Sequence, residues 1–238
     1  PKRDWSSDVC SSDLKKIKII FSPTSTGLKS GEIVINHSIS STPDTLLVDG
    51  TGVFPAISPS KTQIDFGNVL VNSSKTDSVV ITNSGTDILN ISQVNSSNEE
   101  IIVLPFDATI APNSSKTFKV IFNPLSSVGQ RNDSVTFSSD AGAPLKISIR
   151  GNGIAPFFSP SSSTIIIGNS IVGTPKLDSV VIRNIGSAQL SIFSTASSNG
   201  QFSISPLTAN IAASESTTFY ITFIPGSTGT KQSNIIFS

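Results

Sequence analysis

Cysteine is all but missing from this chain. The single Cys10, like the single Trp5, falls within Arg3-Asp-Trp-Ser-Ser-Asp-Val-Cys-Ser-Ser-Asp-Leu14, which resembles, residue for residue, the translation of a common sequencing-library adapter. Residues 1–14 are therefore expected to be a non-native tail and are set apart from fold reasoning. Without Cys10 the chain offers no disulfide, no thiolate nucleophile and no Cys-ligated metal, so its stability has to come from packed cores. Charge is almost as scarce: Lys plus Arg and Asp plus Glu number 16 each, 13% of residues are charged, and the formal net charge is zero. A nucleic-acid binder needs a basic face to neutralise phosphates, and no Lys/Arg run supplies one. No apolar run approaches the roughly 18 residues of a membrane span. Nor does any stretch carry the 3.6-residue apolar period of a helix.

What is there is a repeat. Asp77-Ser-Val-Val-Ile-Thr-Asn-Ser-Gly85 returns as Asp178-Ser-Val-Val-Ile-Arg-Asn-Ile-Gly186, 101 residues later. Alternation makes it a strand, with Val79 and Ile81 on one face and Ser78, Val80 and Thr82 on the other. The closing Asn-x-Gly suits a turn with unusual backbone angles. Ile17-Lys-Ile-Ile-Phe21-Ser-Pro23 likewise reappears as Phe118-Lys-Val-Ile-Phe122-Asn-Pro124 and Phe219-Tyr-Ile-Thr-Phe223-Ile-Pro225, again at intervals of 101. Gly-bearing turns follow at Gly27, Gly129 and Gly229. Returning strands are expected at Gly31–Asn36, Asp133–Phe137 and Asn234–Phe237, and closing strands before Gly50-Thr-Gly52 and Gly151-Asn-Gly153.

The period divides the chain into 15–53, the C-terminal part of a domain; 54–154, a complete domain; and 155–238, a domain without its last strand. In the complete copy the expected strands are Ala56 to Phe66, Lys75 to Asn83, Ile88 to Val94, Ile101 to Leu104, Lys116 to Phe122, Asp133 to Phe137 and Leu145 to Arg150. Seven short strands in about 100 residues give an all-β fold, a tandem array of immunoglobulin-like antiparallel sandwiches. Pro55, Pro59, Pro156 and Pro160 mark the starts of the copies and stiffen short junctions. Ser238 is expected to correspond to Phe137, so the chain is expected to be a piece of a longer array.

Candidate chemistry is thin. Gly50-Thr-Gly52 and Gly151-Asn-Gly153 lack the following helix that a phosphate loop requires, and are expected to be domain-ending turns. His37, the only histidine, aligns with Ser138 at the 101 interval and is expected to be a loop residue without a triad. Glu99 and Glu100 are expected at a solvated strand edge that discourages strand addition. Asp133 and Asp140 are oxygen donors suited to calcium, but no Asp-x-Asp cluster accompanies them. Asn-x-Ser/Thr triplets begin at Asn36, Asn72, Asn90, Asn95, Asn113 and Asn132, as a chain rich in Ser and Asn produces by chance. No catalytic, cofactor-binding or metal-ligating residue is assigned, and no cofactor is expected.

Phe66-Gly67-Asn68-Val69 leading to Asp77–Asn83, then Pro112 through Phe122-Asn-Pro124, then Leu145 through Gly151-Asn-Gly153, resembles the ASH/Hydin-type immunoglobulin-like domain, also found in bacterial choice-of-anchor D repeat proteins. The third copy departs from it, with Ile167 for Phe66 and Ala213 for Pro112. The resemblance implies a non-enzymatic structural or interaction module. It would belong to a bacterial secreted or cell-surface protein, acting as a spacer or adhesive stalk beside neighbouring repeats of the same chain. The alternative it implies is an intracellular ciliary or centrosomal scaffold that docks protein partners by strand addition.

Overall fold

Alternating apolar residues become β-structure: among the described residues, 15–39, 41–125 and 127–238 of a computed structural model, there are nineteen strands and no helix. The adapter-like residues 1–14 lie outside the described residues. Both copies of the Asp-Ser-Val-Val-Ile segment are strands, β5 (Lys75–Asn83) and β13 (Lys176–Asn184). Val79 and Ile81 are buried while Ser78, Val80 and Thr82 are half-buried, as the alternation predicts.

Residues 57–154 build a sandwich. One sheet, in the order β3-β5-β9-β7, joins β3 (Ile57–Pro59), β5, β9 (Ser115–Phe122) and β7 (Ile101–Leu104). The other, in the order β4-β11-β10-β6-β8, joins β4 (Gln63–Leu70), β11 (Leu145–Ile154), β10 (Gly129–Ser139), β6 (Leu89–Ser96) and β8 (Ala108–Ile110). Side chains from both sheets meet in one core, in which Phe118 meets Phe137 edge-on at 5.1 Å and Phe66 lies 5.6 Å from Phe122. Each such fully buried side chain contributes about 1.5–3 kcal/mol.

Nine strands replace the seven expected here. The strand expected over 56–66 is two: Pro59, which has no N–H to donate, ends β3 opposite Ile81, and the chain crosses to the other sheet as β4. The three-residue β8 is too short for alternation to reveal. β4 also runs parallel to β11, the one parallel pairing among the described strands, with a register shift between Arg150 and Asn152. Phe66-Gly67-Asn68 is thus part of a bulged strand, with Gly67 in the left-handed region, and not a strand end.

Residues 158–237 repeat the first sheet as β12 (Phe158–Pro160), β13, β18 (Ser216–Phe223) and β16 (Phe202–Ser205), in the order β12-β13-β18-β16. The opposing layer is two short pairs, β14 (Leu190–Ile192) with β17 (Ala209–Ile211) and β15 (Thr195–Ser197) with β19 (Ile235–Phe237). Residues 164–171, which align with β4, form no strand. The 101 interval also fails by one: Thr195 pairs with Phe237 as Val94 pairs with Phe137, and Phe219 meets Phe237 edge-on at 5.1 Å as Phe118 meets Phe137. One residue is missing between β18 and β19, so Ser238 aligns with Ser138, not Phe137.

Toward the N-terminus, β1 (Gly27–Ile35) and β2 (Asp44–Gly52) form a hairpin. Its register, Gly27 opposite Gly52 and Ile35 opposite Asp44, is that of β10 and β11, where Gly129 faces Gly153 and Phe137 faces Leu145. The match places His37 at Ser139, one residue from the position that a constant interval gives. The strand expected over 17–21 does not form. Its counterpart β9 is held between β5 and β7, and among the described residues no strand flanks residues 17–21 in that way.

Candidate interaction surface

Some of the polar groups that the sequence singles out, Asn83 and Glu100 among them, are spent inside the fold. Asn83, fully buried, donates from Nδ2 to the carbonyls of Asp87 at 2.7 Å and Ile110 at 2.9 Å, and its Oδ1 accepts from the N–H of Gly85 at 3.0 Å and Ala56 at 3.3 Å. Asn184 repeats the clamp on Ala188, Ile211, Gly186 and Phe157. The Asn-x-Gly is therefore not a turn of unusual backbone angles, since neither residue has positive φ. Gly85 is needed because a Cβ there would stand 2.6 Å from the backbone nitrogen of Ala56.

The Gly-x-Gly pairs are not domain-ending turns either, because they lie within β2 and β11. A Cβ on Gly151 would stand 2.5 Å from the Phe122 ring and one on Gly153 3.2 Å from Pro124; Gly50 and Gly52 face Phe21 and Pro23 in the same way. Gly-x-Gly and Phe-x-Pro are the two halves of one contact, a ring and a proline seated on bare backbone. That seat is filled by the chain's own residues and cradles no phosphate.

Glu100 contradicts its assignment to a solvated edge. Glu99 is exposed, but Glu100 is 9% exposed and takes a two-pronged ion pair from Arg131, Nε to Oε2 at 2.7 Å and Nη2 to Oε1 at 3.2 Å, plus the Leu125 N–H at 3.0 Å. Arg131 also donates to the carbonyls of Gly129 and Ser127, so the pair latches the β9–β10 loop. The guanidinium holds the Glu100 carboxyl below its usual range against the opposing effect of burial, and the carboxylate raises Arg131. Adjacent acids in the sequence conceal this; the signal available is that Gln201 and Lys231 replace the two residues together in the next copy.

The remaining candidates do not converge. His37 lies beside Asp44, 3.1 Å from Nε2 to Oδ2, in the N-terminal hairpin. Asp133 accepts from the Ser97 hydroxyl and the Ser134 N–H, whereas Asp140 accepts from the backbone and side-chain nitrogens of Asn90 at 3.0 and 2.8 Å, which hold its pKa down. The two carboxylates are thus tied to separate partners, and among the described residues no group of three potential metal ligands occurs. All six triplet asparagines are exposed, and Asn72 and Asn113 occupy left-handed turn positions.

What the fold offers to other molecules is surface. Gln63, Asn132, Ser134 and Arg150 line an open polar depression of about 590 Å³ on the five-stranded sheet. β7 is the outer strand of the four-stranded sheet, with Ile102 and Leu104 exposed. No helix among the described residues is long and apolar enough to cross a membrane.

Comparisons with known proteins agree with this picture of immunoglobulin-like sandwiches. Residues 55–152 match the HYDIN/CFA65/VesB-like Ig-like domain, and residues 152–238 match the ASH domain, named for the abnormal-spindle-like microcephaly-associated protein, SPD-2 and Hydin. Residues 55–238 belong to the ASH/Hydin-type immunoglobulin-like family. No curated protein matches the chain significantly. Solved structures similar to this ASH/Hydin-type chain include PapD-like domain 7 of human CEP192, at 11% identity and a TM-score of 0.37, covering 41% of this chain and 84% of that one. A Porphyromonas gingivalis protein of unknown function aligns at 14% identity and 0.38, covering 71% and 83%. The Vibrio cholerae VesB protease aligns at 17% and 0.32, covering 40% and 31%. ASH and related Ig-like domains are typically non-catalytic.

Proposed function

We propose that this chain is a stalk segment of a bacterial secreted or cell-surface protein, in which successive ASH/Hydin-type sandwiches space a binding or catalytic domain away from its anchor. The observation that carries the reading is where the interior polar groups go. Asn83, Glu100, Asn184 and Thr195, the buried polar or charged residues among those described, are each hydrogen-bonded to the fold itself. Such a module supplies length and surface rather than a reaction centre. The short Pro-bearing junctions at Gly52–Pro55 and Gly153–Pro156 suit a spacer of fixed reach. An antibody raised against residues 54–154 tests the compartment. Labelling of intact source cells, removed by external protease, is the expected result. Labelling only after permeabilisation would overturn it in favour of a cytoplasmic or ciliary scaffold, which the exposed apolar face of β7 would serve by strand addition.

A further inference from the structure

The sandwich of residues 54–154 is joined to the rest of the chain by two strands that lie side by side. β4 is the outer strand of its sheet and has β11 as its one neighbour there, so the strand by which the chain enters this sheet pairs directly with the strand by which it leaves. Entry and exit stand at opposite ends of the sandwich. The Phe54 carbonyl accepts from the N–H groups of Thr86 and Asp87, just past the end of β5, whereas the Ile154 carbonyl accepts from the Val71 N–H at 2.9 Å, just before its start. Ala155 already belongs to the next sandwich, its carbonyl held by the N–H groups of Ser187 and Ala188. No slack residue separates it from Ile154.

β4 and β11 run parallel, from Gln63 beside Ser148 to Leu70 beside Ile154. A pull along the chain draws β4 back past its Gln63 end and β11 forward past its Ile154 end. For a parallel pair these are opposite directions along the strands, so the hydrogen bonds of the seam are strained together in shear. An antiparallel pair pulled apart at one end opens bond by bond. The seam begins where the Ser148 N–H donates to the Thr62 carbonyl at 2.9 Å and ends at Val71 and Ile154, and Asn152 Nδ2 adds a side-chain rung to Asn68 Oδ1 at 2.8 Å. Ile64, Phe66, Val69, Ile147 and Ile149 cover its inner face within the core, each at 6% exposure or less. Sliding the strands past each other must therefore also drag five close-packed side chains from their places.

We propose that the parallel seam of β4 and β11 is a tension-bearing clamp, which holds residues 54–154 folded against force applied along the chain. That such a force is applied rests on the stalk reading. The resistance itself belongs to the fold, so it can fail while the compartment test succeeds, and the reverse.

Single-molecule stretching of the full chain tests this, with handles on cysteines introduced in a Cys10→Ser background. Val53→Cys with Phe157→Cys, at exposed positions flanking the sandwich, loads the seam in shear. Val128→Cys with Phe157→Cys pulls at the end where Gly129 faces Gly153, and peels β11 away pair by pair. The same fold is broken in both experiments, so only the direction of the load differs. The first geometry is expected to need about twofold more force, or higher, since forced unfolding follows the barrier and not the equilibrium stability. A variant locates the resistance in the seam. Residues 70–73 form a β-turn closed by the Ser73 N–H on the Leu70 carbonyl at 3.0 Å, with Asn72 at φ 63°, so Val71 holds the position that proline suits. Val71→Pro keeps the turn but deletes the N–H on which Ile154 is held, and is expected to lower the force by a larger fraction in the first geometry than in the second. Equal force in the two geometries would overturn the proposal. So would a loss on Val71→Pro that is no larger in shear than in peeling.

Discussion

The two sandwiches share their inner strands and differ in how they close. In 57–154 the pair β4 and β11 completes the second layer, and eighteen apolar residues are buried in one cluster. In 158–237 that pair is missing and the cluster holds seven, with Ile165, Ile167, Ile235 and Phe237 only partly covered. Residues 164–171 keep the alternation of β4 yet are not a strand. Alternation decides which side chains face inward, but a partner decides whether the segment is a strand at all.

The largest expected effect strains both cores at the same place. Phe118→Ala should destabilise the first sandwich by about 4 kcal/mol, and Phe219→Ala the second by about 3 kcal/mol, because a less enclosed cavity collapses further. Each ring meets its partner edge-on at 5.1 Å, so the chemistry removed is the same. Separate transitions in denaturant would resolve the two values. Equal or reversed losses would mean that closure by β4 and β11 does not tighten the core.

Next in size is the ion pair that only the first sandwich carries. Arg131→Met leaves Glu100 buried beside no cation and should cost about 3 kcal/mol at neutral pH. In the second sandwich Gln201 holds the same loop through the Gly226 N–H at 2.8 Å, and Lys231 turns to Ser227 and Thr228. The pH dependence should differ accordingly. Glu100 has a folded pKa below its unfolded one, so its contribution is present above the ordinary carboxylate range and is lost as pH falls through the lower folded value. Acidification below about pH 4.5 should weaken the first sandwich. Glu100→Gln, which copies the second, should remove that residue's share of the slope, as unfolding at a series of pH values would show. An unchanged slope would break the assignment.

How much of this was legible follows from the distance over which each feature acts. β5, β9, β13 and β18 could be read because alternation is local and occurs twice. The junction of β3 with β4, the three-residue β8 and the parallel pairing with β11 could not, because they depend on which sheet a segment joins. Asn83 and the Gly-x-Gly pairs stood out by repetition, but their roles lie in partners far along the chain, Asn83 on Ile110 and Gly151 on Phe122. Glu100 was misread for the same reason, since its partner is 31 residues away. The one-residue deletion before β19 was visible in Gly129 and Gly229, which are 100 apart. A strand alignment carried at 101 passes over it.

A smaller effect sharpens the glycine seat. Gly151→Ala drives a Cβ against the ring of Phe122, which is fully buried and has nowhere to go, and should cost about 2 kcal/mol. Gly50→Ala makes the same approach to Phe21, but that ring is half exposed and can swing away, so the change should stay within about 0.5 kcal/mol. Thermal unfolding of the two variants separates a requirement of the motif from a requirement of the enclosed core. Comparable losses would show that the N-terminal hairpin holds Phe21 more firmly than its exposure implies.

The smallest effect concerns a pair at the surface. Lys61 Nζ donates to both carboxylate oxygens of Asp77, at 2.9 and 2.8 Å, with both side chains more than a third exposed. Ser162 and Asp178 occupy these places in the second sandwich, so Lys61→Ser makes the first resemble the second at this point alone. Water and salt screen such a pair, and the loss should be at most about 0.5 kcal/mol. The titration of Asp77 should nevertheless move. The hydrogen bond from Lys61 is the largest cause of its lowered pKa, ahead of the Ser78 N–H, so removing the ammonium should shift the carboxyl upward toward its usual range while leaving part of the depression. Carboxyl titration followed by NMR reads that change where unfolding curves barely register it. A large loss of stability with an unmoved pKa would mean that Lys61 acts through the packing of its stem, and not through its charge.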